Sequence, residues 1–375
     1  MTPHTRNLSV LTFSAVVLLC APSVAQQGVD PGSTGSGGGQ PNSTQREASF
    51  DNRDQFVPPS RLPIQDTYVK QELGLSEEQA RDELTGIAVT PDGKVEFLPP
   101  TDEAVKGLIE RVQQLKQRSE LPSVRTLLGS EEPGTAGPGG TEQQGANEDA
   151  GSFAQKSVRA ESVIGADTRV QVTNTTAYPF RTVGRIDIGC SGTLIGPRHV
   201  LTAGHCVYNI DNDKWYSQLS FSPGQNGSTR PYGKIGWSRA ISVKGWTQNH
   251  KRDYDYAMIV LSSDIGQTTG WMGYGWKNPL PKYNINIDGY PGDKPSGTMW
   301  HAFCGIDTVQ TYRLYYACDT FGGMSGSKVH VFFNSDQSRI IYGIHAYGVD
   351  STGLNGATRI TESVFNNLKS WKAKY

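Results

Sequence analysis

After Cys20 the chain has no apolar run long and uncharged enough to cross a bilayer, which excludes a helical membrane body. It has no Cys-x-x-Cys or His-x-x-x-His spacing, so neither a metal site nor a cofactor is expected. Lysines and arginines are scattered rather than clustered, which leaves nucleic-acid binding without a footprint. Cysteine is scarce, five in 375 residues. Glutamate is scarcer still in one region: residues 162–375 hold one, Glu362, against thirteen aspartates, whereas residues 1–161 hold fourteen glutamates and eight aspartates. Glutamate normally ranks among the commonest residues, so a local shortage calls for a cause.

At the start, Arg6 precedes the apolar run VLTFSAVVLLC, which ends in small residues at Ser23-Val24-Ala25. That is the pattern of a secretory signal peptide, so removal of residues 1–25 and secretion to the extracellular medium are expected. Leu19, rather than a small residue, ahead of Cys20 argues against a lipid anchor. Cys190, Cys206, Cys304 and Cys318 then remain, an even number in an exported protein, which favours two disulfides. Three connectivities are open, and nearest-neighbour pairing is the simplest.

Two polar stretches rich in Gly, Ser, Gln and Pro, residues 27–47 and 129–152, flank a segment with local order signals. Ser76 to Gln79 matches a capping box, IAVTPDGKVEF reads as two strands around a turn, and Val105, Leu108, Ile109, Val112 and Leu115 keep helical spacing. This predicts a compact α+β unit. From Ser162 onward, short runs of Val, Ile, Thr and Tyr broken by Gly, Asn, Asp and Pro predict an antiparallel all-β body. A last helix follows, capped by Thr361, with Val364, Leu368 and Trp371 on one face. The net charges are −9 for residues 26–161 and +7 for residues 162–375, which suits a prosegment (26–161) lying on its own domain (162–375).

Three short motifs carry chemistry. A serine hydroxyl attacks only when a neighbouring base takes its proton, and the base needs an orienting carboxylate. Ser325 in CDTFGGMSGS, His205 in LTAGHC and Asp255 in HKRDYDYAMIVLS supply that set, with Asp253 as the weaker carboxylate candidate. Gly322 and Gly323 leave the backbone open, so the amides of Gly323 and Ser325 can face a developing oxyanion. Cys206 adjoins the histidine and Cys318 precedes the serine loop, so bridges Cys190–Cys206 and Cys304–Cys318 would stiffen both catalytic loops. Each motif alone is an ordinary turn or strand end. All three together, in the order His, Asp, Ser, are specific.

From SVIGADTRVQVTNTTAYPFRTVGRI through TAGHC, RDYDYAMIVLS, DGYPGDKPSGTMW and DTFGGMSGS to TRITESVFNNLKSWK, residues 162–375 resemble the bacterial glutamyl endopeptidases, a branch of the chymotrypsin-fold serine proteases. The resemblance implies two packed antiparallel β-barrels with a C-terminal α-helix and a crevice between the barrels for protein or peptide substrates. It implies that His205, Asp255 and Ser325 are the triad, that Thr320 and His345 hold an acidic side chain, and that the amine of Ser162 lies near the same pocket. A monomer is expected, with its own prosegment as the other partner.

Specificity has a competing signal. Asp319 stands six residues before Ser325, where trypsin-like enzymes use an aspartate to bind Arg or Lys. Against that, His345 and Thr320 can donate hydrogen bonds to a carboxylate and neither assists an ammonium. An enzyme cutting after glutamate would also digest itself at exposed glutamates, which accounts for their shortage in residues 162–375 alone. Glu161 immediately precedes the family-like start and predicts cleavage there. Met324 stands where the trypsin group has an aspartate, so the trypsin activation switch is not expected. The remaining rival is an inactive protease-like binding protein, which usually lacks a triad member.

Overall fold

The computed structural model describes residues 50–51, 74–119 and 163–375. The expected signal peptide, both polar stretches, Glu161 and Ser162 lie outside the described residues.

Strand β1 (Phe50–Asp51) pairs in parallel with a strand at Lys214–Tyr216. Helix α1 (Glu77–Leu84) begins in the expected capping box: the Ser76 hydroxyl accepts from the Gln79 amide at 3.2 Å and Gln79 Oε1 accepts from the Ser76 amide at 2.8 Å. Strands β2 (Gly86–Val89) and β3 (Val95–Leu98) form the expected hairpin, whose turn closes on Gly93 at φ +85°. Helix α2 (Asp102–Ser119) follows.

The first barrel uses β5 (Val183–Ile186), β6 (Cys190–Leu194), β7 (His199–Thr202), β10 (Phe221–Pro223), β11 (Trp237–Val243) and β12 (Ala257–Leu261) in the order β10-β5-β6-β7-β12-β11. Reciprocal 2.8 Å bonds between Phe221 and Ile235, just ahead of β11, bring the sheet back on itself. The second barrel uses β14 (Asn284–Gly289), β15 (Met299–Val309), β16 (Arg313–Tyr316), β17 (Lys328–Phe332), β18 (Arg339–Tyr347) and β19 (Asn355–Arg359). Its path β18-β17-β14-β15-β16-β19 closes through the β18–β19 pairing into a six-stranded cylinder. Short strands β4 (Val170–Val172), β8 (Tyr208–Asn209), β9 (Lys214–Tyr216) and β13 (Gly273–Tyr274) and one-turn helices α3 (Lys244–Thr247) and α4 (Gly266–Thr269) lie between these elements. Helix α5 (Glu362–Lys374) follows them, with the Thr361 hydroxyl accepting from the Val364 amide at 3.3 Å. The fold is the two-barrel, chymotrypsin-like one expected.

Residues 74–119 form the expected α+β elements, and these pack as part of the first barrel. Strand β2 adds to the free edge of β11 in antiparallel register, Ala240 opposite Val89 through Val243 opposite Gly86, so the hairpin extends the first barrel's sheet. Its apolar residues, among them Leu84, Ile87, Val89, Leu98, Val105 and Leu108, belong to one core with Ile241, Trp246, Val364 and Trp371. A segment this short buries too little surface alone, and the barrel edge supplies the missing half.

Candidate active site

Each candidate catalytic side chain lies beside a barrel strand. Strand β7 delivers His205 through Ala203 and Gly204. Gly204 is needed there, since a Cβ would sit 2.9 Å from the Trp246 ring and 3.0 Å from Asp255 Oδ1. The Cys190–Cys206 disulfide, sixteen residues apart in sequence, ties the residue after His205 to β6. Asp255 lies two residues before β12, and Ser325 sits on the loop entering β17. The Cys304–Cys318 bridge holds the strand pair ahead of that loop. Both disulfides follow the nearest-neighbour pairing.

The Asp255 carboxylate is fully buried and three donors converge on it. His205 Nδ1 lies 2.7 Å from Oδ2, the His205 amide donates to Oδ1 at 2.8 Å, and the Tyr347 hydroxyl donates to Oδ2 at 2.6 Å. Burial alone would push this carboxyl up, but the His205 ring, its amide and Tyr347 outweigh that and hold it below the usual range. Asp253 accepts from Arg313 Nε at 3.1 Å instead.

The Ser325 loop is clamped across the barrels. Ser191 donates its amide to the Ser325 carbonyl at 2.8 Å and its hydroxyl to the Gly323 carbonyl at 2.8 Å. Gly323 adopts φ +100°, and a Cβ there would meet the Tyr290 carbonyl at 2.5 Å, so only glycine fits. Among the described residues neither the Gly323 nor the Ser325 amide donates to a backbone carbonyl.

At the expected pocket, His345 is buried and its Nδ1 lies 2.7 Å from the Tyr316 hydroxyl. Burial, with a smaller contribution from nearby His205, pushes His345 down to about 3, so the ring is neutral at physiological pH. Thr320 is buried, and its hydroxyl has no hydrogen-bond partner among the described residues. Asp319, in contrast, is already engaged. One oxygen accepts from the Ile164 amide at 2.8 Å, and the other accepts from the Thr168 amide at 2.8 Å and the Thr168 hydroxyl at 2.6 Å.

Three of these residues escaped the sequence reading. Ser191 had a signal, its place beside Cys190. Tyr347 and Tyr316 had none, because their contacts cross between elements. A bulge between His345 and Tyr347 re-aims β18 there, so that one strand serves both the Asp255 carboxylate and the His345 region.

Residues 167–302 match the trypsin family. Glutamyl endopeptidase of Bacillus licheniformis is 43% identical over 223 residues, covering 56% of this chain and 69% of that protein. A Bacillus subtilis protein named as an extracellular metalloprotease is 38% identical over 227 residues, covering 58% of this chain and 71% of its own. The solved structure of a Glu endopeptidase in complex with MPD superposes with a TM-score of 0.52 at 33% identity, covering 56% of this chain and 99% of that one. Fold and sequence therefore define a serine protease of the chymotrypsin type. Within that class the chain belongs to the bacterial glutamyl endopeptidase family.

Among the described residues the group around His205 does not fit a metal. His205 lies with Cys190 and Cys206, the one group of potential ligands close enough among the described residues, and both sulfurs are spent in the disulfide. Among the described residues no helix is long and apolar enough to cross a membrane.

Proposed function

We propose that this protein is a secreted endopeptidase that hydrolyses peptide bonds after glutamate, and less well after aspartate, as a monomer made in proenzyme form. Residues 1–25 direct export, 26–161 form the prosegment, and cleavage after Glu161 yields the catalytic domain 162–375. Ser325 Oγ attacks the scissile carbonyl carbon while its proton passes to His205 Nε2. The amides of Gly323 and Ser325 receive the oxyanion. Asp255, ionised in its buried cage, orients the ring and stabilises the imidazolium. The tetrahedral adduct then collapses, the C–N bond breaks, and His205 returns the proton to the departing amine. Water repeats the cycle on the acyl-enzyme.

The observation that carries the specificity is the contrast between Asp319 and His345. Both Asp319 oxygens accept hydrogen bonds from Ile164 and Thr168, which leaves that carboxylate no role in binding Arg or Lys. His345 is neutral and anchored by Tyr316, and Thr320 carries an unspent hydroxyl. With Nδ1 accepting from Tyr316, Nε2 carries the ring proton and can offer it to a substrate carboxylate, and the amine of Ser162 freed by maturation would supply positive charge.

Four peptides differing only in Glu, Asp, Arg or Lys before the scissile bond test the reading. Glu is expected to exceed Asp, with Arg and Lys uncut, and replacing His345 by leucine should lower kcat/KM for Glu by at least about 100-fold, on the order of 2.7 kcal/mol. Arg or Lys cleavage would overturn the specificity. Failure of a serine-directed phosphonate to label the protein, or labelling that survives Ser325→Ala, would overturn the chemistry.

A further inference from the structure

We infer that residues 74–119 are not shed with the rest of the prosegment but stay bound after the linker is cut, as a second chain that completes the first barrel. This rests on the proenzyme reading above.

The interface resembles a domain interior rather than a removable plug. All four residues of β2 are buried, and without them β11 would present a bare edge from Ala240 to Val243. The segment's apolar residues share one core with β11, Trp246 and α5. Its polar contacts are equally specific. Asn367 Nδ2 donates to the Leu84 carbonyl at 2.9 Å, and the Lys244 amide donates to the Thr85 carbonyl at 2.9 Å. Lys251 Nζ meets Glu83 Oε1 at 2.6 Å with both side chains largely buried. Glu96 pairs with Lys374, and Arg111 reaches Asn278 Oδ1 at 2.7 Å. Gly86 allows close contact, since a Cβ would stand 2.9 Å from Trp371 Nε1.

The location is as informative as the content. The bonds named here end on the β11 edge, the 244–251 turn, Asn278 and α5, away from the Ser325 loop, His345 and Thr320. An inhibitory plug would cover the cleft, whereas this segment leaves it open. Departure would uncover an apolar sheet edge and one face of α5 together. Cleavage between residues 119 and 163 therefore frees the start of the catalytic domain without dissolving the interface.

The test uses the full chain carrying Ser325→Ala, with a recognition site for an unrelated specific protease placed between residues 134 and 140. After complete cutting, a denaturing gel separates the two pieces. Gel filtration and native mass spectrometry are expected to find them together at a 1:1 ratio, with a melting temperature within a few degrees of the uncut chain. Separate elution of the pieces, or a folded catalytic piece alone at unchanged melting temperature, overturns the inference. Because this arm needs no activity, it fails or succeeds independently of substrate specificity. In a second arm, the wild-type enzyme is purified after its own maturation and its subunits weighed intact. Residues 74–119, whole or nicked after exposed glutamates such as Glu77, Glu78 or Glu103, are expected in the active peak, and an active peak without them overturns the inference.

Discussion

Replacing Tyr347 by phenylalanine would remove one oxygen from the cage around Asp255 and little else. The ring is buried and stacked between Arg252, 4.0 Å from its centroid, and Arg313 at 4.7 Å, contacts that phenylalanine keeps. The lost hydroxyl donates to Asp255 Oδ2 at 2.6 Å and also lies 3.1 Å from the Arg252 carbonyl. A hydrogen bond to an ionised group contributes about 1.5–3 kcal/mol. Asp255 is wholly buried, so bulk water does not replace the donor, while the two His205 bonds persist. A loss of about 2 kcal/mol follows at pH 7, or about 4–8 °C in melting temperature for a body of this size. The sign with pH is set by Asp255. Its folded carboxyl lies below the unfolded value, so its stabilisation is present above the usual carboxylate range and is lost as pH falls through the folded value. The variant's carboxyl is lowered less and takes its proton first, so the gap between the proteins narrows on acidification. Urea melts of both, in a Ser325→Ala background to prevent self-digestion, measure this from pH 7 downward. No loss at pH 7, or a gap that widens as pH falls, refutes the donor role.

Other expectations follow from neighbouring features. Asp319→Asn places an amide NH2 against the donors of Thr168 or Ile164; kcat/KM on the Glu peptide should fall about tenfold, near 1.4 kcal/mol, with no change in Arg or Lys cleavage. A change in Arg or Lys cleavage would return Asp319 to the pocket. Replacing Cys304 and Cys318 together by serine opens a loop of fourteen residues and should cost about 3 kcal/mol in chemical denaturation. His345 is held at about 3, so the unfolded chain binds its proton first and stability falls as pH drops between about 6.5 and about 3. His345→Gln should flatten the stability profile there by about 1.4 kcal/mol per pH unit. Lys328 and Asp288 form a wholly buried ion pair beside His301, and Lys328→Met, which strands the carboxylate, should cost about 3–5 kcal/mol by urea melts.

The signals legible in the sequence are local ones. The capping box at Ser76, the Thr361 cap and the hairpin around Pro91-Asp92-Gly93 are settled within a few residues, and all three appear. His205, Asp255 and Ser325 stood out because their motifs are short and the cysteines bracket them. What failed to appear was long range. Nothing in Gly86-Ile87-Ala88-Val89 names Ala240–Val243 as its partner, because a buried strand reads the same beside any open edge. Asp319 read as a competing specificity signal because its spacing from Ser325 is local, whereas the groups that occupy it come from Ile164 and Thr168, 155 and 151 residues away. Tyr347 shares that fate: its role depends on a bulge and on a carboxylate 92 residues distant.

The shortage of glutamate gains a physical reading from where the last one sits. Glu362 lies in the first turn of α5, half-buried, and α2 covers it closely enough that a Cβ on Gly107 would stand 3.0 Å from its Cγ. Burial, with Glu110 nearby, pushes its carboxyl up, so the site is poorly suited to an ionised side chain reaching into an acidic-residue pocket. If residues 74–119 stay bound, Glu362 stays partly covered by α2, and exposed glutamates of the segment, Glu77, Glu78 and Glu103 among them, are the ones open to self-cleavage. If they leave, Glu362 is uncovered along with the apolar face of α5. The two ideas therefore meet in one measurement. Fragments of aged wild-type enzyme, sequenced at their ends, should lack a break after Glu362 while the 74–119 peptide remains present. When that peptide is stripped by mild urea and removed, a break there should appear within the same time. Breakage after Glu362 in the intact two-chain protein would refute the shielding.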